Sequence, residues 1–494
     1  MSILERTLVV KRILAKSQLR QLSLIELLNS QNQTINSVSW ELGYNRKTLA
    51  KDIFEINEYI TPIKIEQRDK LYLTYPKNYS VRHIYHCFLK KSVEFELIER
   101  IFLDETKTLE EWAEELYLAV STLRRMIVRI NKELKREGIM IVGPNLYLKG
   151  KGYKVCNFMV HLFLEKYPEE NVLFTSKQRQ IIQTLVRYYS KYDRRLLNHK
   201  RFKISVATVM VSIIRIKNGY PLIKAKKLDY LTKRILRSEK VKLIFKKHFN
   251  SELTADALYR INYILVSGIY AVSYEQVIEI IANDDELRKR VVSIEQAITE
   301  IQTNIGVPIR NKEDMILMMF NISRMQYGKS YILYNENLVL DNFFWKRYPK
   351  LIEIMSSSLE KICMSDDKEH ELNEYIHALI VYWLYPFKTT LKINSTLKIG
   401  LFYDYDLEYM KVIEQEIYLH FPSLFTVELL HGSDISSIKN RSYDCDIYLT
   451  NISGLIVPGV EVLCFPILPQ AEDWLKLYSS YQKIQNEKRA TRLE

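Results

Sequence analysis

The chain has 494 residues, of which 47% are hydrophobic and 27% charged, and this composition excludes a disordered protein and indicates several globular domains. It contains only 13 Gly and 12 Pro residues, so helix breakers are scarce and a mostly helical protein is predicted. The formal charge of +13 favours an anionic partner such as nucleic acid, although a merely lysine-rich protein has the same property. The five cysteines are scattered without a CxxC pair, which indicates buried thiols rather than zinc ligands or disulfides.

Nothing in the sequence predicts a membrane segment. The first residues include Glu5, Arg6, Lys11 and Arg12, a pattern unlike that of a signal peptide. The longest apolar runs, such as residues 378–385, are shorter than the roughly 20 residues that cross a bilayer. We therefore expect a cytoplasmic protein that does not contact a membrane.

Residues 34–73 have the pattern of a helix, a turn, a second helix and a β-hairpin, and two amphipathic helices are predicted before them within residues 2–28. The second helix is predicted to begin near Asn45, because an asparagine side chain is a favourable N-cap. Its buried stripe is formed by Leu49, Ile53, Ile56 and Ile60. The residues expected to face DNA are Arg46, Lys47, Thr48 and Lys51.

Residues 108–148 repeat this order of elements. A short helix over 110–118 is followed by a turn and by a second helix for which Ser121 is the predicted N-cap. The buried stripe of the second helix is formed by Leu123, Ile127, Ile130 and Leu134. The residues expected to face DNA are Ser121, Thr122, Arg124, Arg125 and Arg129. Gly143-Pro144-Asn145 is predicted to turn between the two strands of a wing.

The two patterns align when the first is shifted along the chain. A shift of 74 residues places Leu49 on Leu123 and Asn57 on Asn131, and a shift of 75 aligns the second strands of the two hairpins. Chance rarely repeats a stripe, a turn and a hairpin in one order. We therefore predict two tandem winged helix-turn-helix units, the second preceded by two more helices within residues 81–103.

The middle of the chain is predicted to be helical as far as residue 391. The residues Gly150, Lys151 and Gly152 are interpreted as a linker before it, and we divide the helical region near residues 272–273. Residues 177–247 contain 21 Lys or Arg against three Asp or Glu. Such a face suits DNA phosphates or a phosphorylated side chain, and a solvated lysine face is an equally good interpretation.

The last hundred residues alternate strands with helices. Strands are predicted at 397–403, 425–430, 445–449 and 461–465, and helices at 407–421, 434–440 and 471–488. This alternation predicts a small parallel α/β domain. Cys445 and Cys464 fall within predicted strands and are expected to be buried.

The arrangement resembles one family, the Mga/AtxA type of transcription regulator with regulation domains of the sugar phosphotransferase system. The strongest segments are SVSWELGYNRKTLAKDIFEIN and TLEEWAEELYLAVSTLRRMIVRIN. The resemblance implies a DNA-binding regulator with two winged helix-turn-helix domains, two helical regulation-domain bundles and a small α/β domain like the B component of sugar permeases. The expected domains are residues 1–76, 77–150, 151–273, 274–392 and 393–494.

The resemblance also implies regulation by phosphorylation of histidines in the two bundles, with a phosphocarrier protein as a transient partner. The best positional candidates are His199 in the first bundle and His377 in the second, and His161, His248 and His370 are weaker candidates. The alternative interpretation of His377, which is next to three apolar residues in the sequence, is a packed core side chain, and that of His199 is an ordinary surface residue. The family further implies homodimers that form partly through the C-terminal domain.

The permease B component carries phosphate on a cysteine after its first strand. Here that strand ends in Phe402-Tyr403-Asp404-Tyr405, without a cysteine or a glycine, so we expect a non-catalytic docking or dimerisation domain. We expect no enzyme activity, cofactor or metal. Two other functions stay open: an RNA-binding antiterminator-like regulator, and a scaffold that binds other proteins.

Overall fold

The computed structural model describes a mostly α-helical, multidomain chain, and this predicted fold class is confirmed. The chain divides into two compact units, Met1–Ala378 and Leu379–Glu494. The described residues are 10–167, 174–190, 199–220, 230–261, 271, 273–306, 309, 311–324, 328–365, 367–383, 396–404, 407–421, 424–430, 445–466 and 469–490.

The first winged unit has the predicted order of elements. They are α1 (Lys16–Ser30), α2 (Ile35–Leu42), α3 (Arg46–Tyr59), β1 (Lys64–Gln67) and β2 (Leu71–Thr74). The Thr34 hydroxyl caps α2 by accepting from the Ser37 N–H at 3.2 Å. Of the two helices predicted within residues 2–28, the second is α1, whereas residues 10–13 form a 3₁₀ turn and residues 1–9 lie outside the described residues.

The second winged unit repeats these elements after one additional helix. They are α4 (Val81–Lys91), α5 (Val93–Leu103), α6 (Leu109–Glu115), α7 (Val120–Leu134), β3 (Ile139–Val142) and β4 (Tyr147–Gly150). A capping box begins α6, because Thr108 accepts from the Glu111 N–H while Glu111 accepts from the Thr108 N–H. The two helices predicted within residues 81–103 are confirmed as α4 and α5.

One asparagine in each unit fixes the second helix of the helix-turn-helix to its hairpin. Asn131 of α7 donates from Nδ2 to the Ile141 carbonyl at 2.8 Å and accepts from the Ile141 N–H at 2.7 Å. Asn57 of α3 makes the same two bonds to Ile65, at 3.0 and 2.7 Å. The asparagine therefore satisfies the outer edge of the first wing strand as a neighbouring strand would.

The predicted linker at residues 150–152 is wrong. β4 ends at Gly150 and α8 begins at Gly152, so a single residue separates them. Gly150 is required by close packing, because a Cβ there would lie 2.7 Å from the Gly138 carbonyl oxygen. At its other end α8 is tied back to α5 by a buried ion pair between Lys166 and Glu99 at 2.5 Å. The helical region is therefore packed against the second winged unit without a spacer.

The first part of the helical region continues the hydrophobic core of the winged units, which extends from Val10 to Leu258 and includes Ile332 and Leu333. Its helices are α8 (Gly152–Lys166), α9 (Ser176–Ser190), α10 (His199–Lys217), α11 (Tyr230–Leu236), α12 (Glu239–Phe249), α13 (Ala255–Ile261), α14 (Tyr274–Ala282), α15 (Asp285–Ile305), α16 (Lys312–Arg324), α17 (Glu336–Arg347), α18 (Pro349–Leu359) and α19 (Lys368–Tyr382). The basic stretch 177–247 is described only in part, since 191–198 and 221–229 lie outside the described residues.

Residues 328–335 precede α17 and contact α8 and α4 of the first compact unit. We call these residues the 328–335 segment. The carboxylate of Glu165 on α8 accepts three consecutive backbone N–H groups, those of residues 332–334, at 3.1, 2.8 and 3.1 Å. Burial raises the pKa of Glu165 to about 7, against the effect of these three donors. Tyr334 packs on Tyr85 of α4 with ring centroids 4.7 Å apart, and Arg82 pairs with Glu336 at 2.6 Å.

The second compact unit holds the predicted parallel α/β domain. Its elements are β5 (Leu397–Phe402), α20 (Leu407–His420), β6 (Phe425–Leu429), β7 (Ile447–Thr450), β8 (Glu461–Cys464) and α21 (Ala471–Ala490). The four described strands are parallel, in the order β6-β5-β7-β8. The helix predicted at 434–440 lies outside the described residues.

Replacing Asn131 with Ala should loosen the second wing. The substitution removes both bonds to Ile141 and leaves two backbone polar groups without these partners, at a cost of about 1–3 kcal/mol. Hydrogen exchange measured by NMR or mass spectrometry should show faster exchange of the Ile141 amide. Asn36→Ala, at an exposed position of α2, is the matched control. Unchanged exchange at Ile141 in the Asn131 variant would contradict this role.

Candidate nucleic-acid interface

The first recognition helix, α3, has the predicted cap and the predicted faces. Asn45 Oδ1 accepts from the Thr48 N–H at 2.9 Å and so satisfies one of the unpaired donors of the first turn. Leu49 and Ile56 are fully buried beneath the helix. The predicted DNA-facing cations Arg46, Lys47 and Lys51 are exposed, and Thr48 is half-buried.

The second recognition helix, α7, begins differently from the prediction. Its N-cap is Ala119, which makes no side-chain capping bond, and Ser121 is the second residue of the helix. The prediction of Ser121 as N-cap is therefore wrong. The repeat itself indicates the true start, because a shift of 74 places Asn45 on Ala119.

Four of the five predicted DNA-facing residues of α7 lie together on its exposed side. They are Ser121, Thr122, Arg124 and Arg125. Leu123, Ile130 and Leu134 are fully buried on the opposite side. Backbone N–H groups of the first turn, hydroxyls and two guanidinium groups thus share one surface that is available to phosphates and base edges.

Arg129 does not belong to that surface, so its predicted place among the DNA-facing residues is wrong. Its guanidinium pairs with the buried carboxylate of Glu94 on α5 and donates to the Leu14 carbonyl at 3.1 Å, which leaves the side chain 35% exposed. Glu94 is 3% exposed and would be costly to bury without a cation. The role of Arg129 is therefore to hold α7 against α5 and against the start of the first unit.

The first unit contains the corresponding ion pair with the charges exchanged. Arg20 of α1 makes a bidentate contact to Asp52 of α3, with Nε to Oδ2 at 2.5 Å and Nη2 to Oδ1 at 2.7 Å. Asp52 is buried, and its hydrogen bond raises the pKa of the Arg20 guanidinium. In both units an ion pair joins the helix that precedes the helix-turn-helix to the recognition helix.

The turn before each recognition helix adopts a left-handed conformation at equivalent positions. Gly43 has φ 71°, and Tyr117 has φ 54° although its side chain disfavours that region. The Tyr117 side chain is 96% exposed beside the DNA-facing surface of α7. Tyr117 is absent from the residues predicted to face DNA. Its alignment with the turn residue Gly43 under the 74-residue shift is the signal in the sequence that places Tyr117 in the turn.

Three other exposed apolar side chains on the helix-turn-helix elements are likewise absent from the predicted set. Trp40 on α2 is 88% exposed, and Phe54 on α3 and Val128 on α7 are each 67% exposed. Periodicity alone treats such residues as candidates for the core, and the structure shows that all three are exposed instead.

The two candidate phosphorylation sites lie apart from the recognition helices in the chain and in different surroundings. His199 is exposed at the first residue of α10. His377 on α19 is half-buried, and its Nδ1 is 2.9 Å from Oδ1 of Asp341 on α17. Burial raises the pKa of the Asp341 carboxyl, and the hydrogen bond with His377 opposes this effect.

The weaker histidine candidates are less suited to a modification. Burial lowers the pKa of His161 to about 4, so its ring is neutral near pH 7 and enclosed in the core around α8. His248 and His370 are half-buried at the end of α12 and the start of α19.

The cysteines depart from the expected burial. Cys464 is exposed at the end of β8 and Cys87 and Cys156 are half-buried, so the prediction of five buried thiols is wrong. Cys464 lies on an edge strand of the sheet, where a period-2 pattern cannot tell a covered face from an open one. Cys445 is buried as expected, although it precedes β7 rather than lying within it.

The part of the chain that the structure describes contains neither a metal-binding cluster nor a membrane-spanning helix. Among these residues, no group of three or more His, Cys, Asp or Glu side chains is arranged to hold a metal ion. No helix there has the length and apolar character needed to cross a membrane.

Residues 77–163 match the family model described as the Mga helix-turn-helix domain. The second winged unit is therefore similar to the Mga helix-turn-helix domain. This match covers α4 to β4 and most of α8, which agrees with the direct passage from β4 into α8 at residue 151. The predicted resemblance to Mga-type regulators is confirmed.

Three proteins that are similar to this chain are named as regulators. A putative trans-acting regulator of Streptococcus pneumoniae serotype 4 is 20% identical over 478 residues, which cover 92% of this chain and 94% of that protein. The capsule synthesis positive regulator AcpA of Bacillus anthracis is 24% identical over 46% of this chain and 47% of its own length. AcpB of the same organism is 26% identical over 33% of this chain and 35% of its own length.

Proposed function

We propose that the protein is a DNA-binding transcriptional regulator, not an enzyme, whose two winged units lie along one duplex. The observation that supports this most directly is the exposed Arg124 and Arg125 on the recognition helix of the Mga domain. A helix of this kind enters the major groove of B-form DNA, whereas the major groove of an RNA helix is too narrow for it. Duplex DNA is therefore favoured over hairpin RNA as the partner.

Replacing both Arg124 and Arg125 with Ala should weaken DNA binding and its salt dependence. Each phosphate contact that is lost makes the negative slope of log K against log salt concentration shallower by about 0.9. The slope of the double variant should therefore be shallower by about two units. The measurement is fluorescence anisotropy with promoter fragments at several salt concentrations. An unchanged slope in the double variant would contradict the assignment of this surface to DNA.

Arg129→Ala is the matched control for this experiment. It removes the same type of side chain from the same helix, but one that is bound to Glu94. We expect it to lower the thermal stability of the second winged unit, because Glu94 then lacks its cation. It should leave the salt slope of the fraction that remains folded unchanged.

We further propose that phosphorylation of His377 tunes this activity, with a phosphocarrier protein as the transient partner. When Nδ1 donates to the Asp341 carboxylate, the lone pair of the ring lies on Nε2, which is then the nucleophilic nitrogen. Asp341 acts as a positioning residue that fixes the tautomer and the ring orientation. Phosphate on this ring adds a negative charge close to the buried Asp341 carboxyl, which favours a movement of α17.

The 328–335 segment provides a physical route from α17 to the Mga domain. The segment ends where α17 begins, and Glu336 in the first turn of α17 pairs with Arg82 of α4. Three backbone N–H groups of the segment donate to Glu165. Ile332 and Leu333 of the segment lie in the hydrophobic core that contains the winged units. A displacement of α17 therefore acts on α4 and α8, which support the second recognition unit.

Incubating the protein with phosphoenolpyruvate and the phosphotransfer proteins should label His377. Mass spectrometry under conditions that preserve phosphohistidine should find no label at this position in His377→Ala. Asp341→Asn should slow the labelling, because its amide N–H can donate to Nδ1 and so favours the tautomer with the proton on Nε2. Asp341→Glu should restore part of the rate. Labelling confined to His199 would instead assign the regulatory site to α10.

We also propose homodimers that form through the C-terminal unit. An aromatic groove of about 740 Å³ lies between α20 and α21 in that unit. Its lining includes His420, Phe421, Leu424, Trp474, Leu475 and Tyr478. Leu475 is 64% exposed, and Leu419 beside the groove is 73% exposed. An exposed apolar groove of this kind is typical of a protein interface.

Replacing Leu475 with Asp should convert the dimer to a monomer, because an uncompensated charge would be buried at the interface. Light scattering of the full chain at micromolar concentration measures this change. Ile456→Asp, at a 75% exposed apolar position elsewhere in the same unit, is the control and should stay dimeric. A monomeric wild type would exclude this proposal.

A further inference from the structure

Phe54 and Val128 occupy the same position of the two winged units. They are separated by the 74 residues that superpose one unit on the other, and each side chain is 67% exposed. Moving an apolar side chain out of water lowers the free energy. A single exposed apolar side chain is common, but the same exposure at a repeated position is informative. The position itself, rather than either residue, therefore requires an explanation.

Helix geometry places this position on the same side of each recognition helix as its DNA-facing residues, one turn further towards the C-terminus. At about 100° per residue, positions 121, 125, 128 and 132 of α7 lie within about 60° of one another, roughly opposite the buried stripe. The same holds for positions 47, 51, 54 and 58 of α3. Val128 thus follows Arg125 along the exposed side of α7, as Phe54 follows Lys51 along α3.

The residues around the position indicate what covers it in a complex. Arg124 and Arg125 are exposed one turn before Val128, and Lys47 and Lys51 are exposed before Phe54. On α3, Lys51 also lies 3.6 Å from Glu55, and Glu58 is exposed one turn after Phe54. Cations at this distance suit the phosphates that border a groove, and they disfavour an uncharged apolar partner protein. The N-terminal part of each face therefore favours a partner that is anionic at its rim and apolar at one point beside it.

The major groove of DNA has that combination, because among the groups that base pairs present there the C5-methyl of thymine is the apolar one. We propose that Phe54 and Val128 each contact a thymine methyl group, so that each winged unit selects thymine at one position of its half-site. This inference rests on the proposed DNA-binding function and adds to it a specificity-determining residue in each unit.

Uracil substitution tests the proposal, since uracil differs from thymine only by the methyl group. The probe is the duplex that the full-length wild-type protein selects from a random-sequence pool. Thymine is replaced with uracil at one position at a time, and affinity is measured for each duplex. We expect a loss of about fourfold at one position for each unit, which corresponds to the transfer of one methyl group out of water.

Alanine variants then assign each position to its unit. Val128→Ala should lose the thymine preference at one position and keep it at the other, and Phe54→Ala should do the reverse. Both residues are exposed, so neither variant removes a core side chain, and Val292→Ala is the control at a 45% exposed valine of α15. The control should keep both preferences.

The outcomes separate this inference from the function on which it depends. Equal affinity of the wild type for thymine and uracil duplexes would overturn the inference and leave the DNA-binding function intact. The inference is also overturned if Val128→Ala and Phe54→Ala keep the full thymine preference, as they would if this face served a protein partner. Failure of the wild type to select any duplex would overturn both.

Discussion

Two hydrogen bonds from a single asparagine determine how each recognition helix is held relative to its wing. A two-stranded hairpin is marginally stable by itself, because one edge of each strand has no partner. Asn57 and Asn131 supply that partner from the side chain of the recognition helix, at Ile65 and Ile141. The same residue therefore stabilises the wing and sets the angle between the wing and the recognition helix.

The cations available on the DNA-facing surface are those that do not form ion pairs with neighbouring helices of the protein. Arg125 and Arg129 are one turn apart on α7, yet Arg125 is exposed and Arg129 is bound to Glu94. Helical periodicity predicts the centre of a face well and its borders poorly, because a border residue is assigned by the neighbouring helix. In this protein α5 contributes the carboxylate, and a sequence pattern local to α7 does not contain that information.

Most of the elements around the interface are predictable from the sequence, since buried stripes, turns and strand alternation are local signals. Asn45 is recognisable as a cap because its side chain and position agree, whereas Ser121 has the residue type of a cap but lies inside the helix. Gly150 has the residue type of a flexible linker, although it permits close approach to the Gly138 carbonyl. The contact between Glu165 and the 328–335 segment joins residues about 170 positions apart, and no local pattern predicts such a pairing.

The opposite polarity of the two ion pairs has a consequence for assembly during folding. Tandem copies of one fold are prone to exchange equivalent helices, either within a chain or between chains. An exchanged α1 would bring Arg20 towards Arg129, and an exchanged α5 would bring Glu94 towards Asp52, so each wrong pairing meets a like charge. The opposite polarity of the two pairs thus disfavours the exchange of these helices between the winged units.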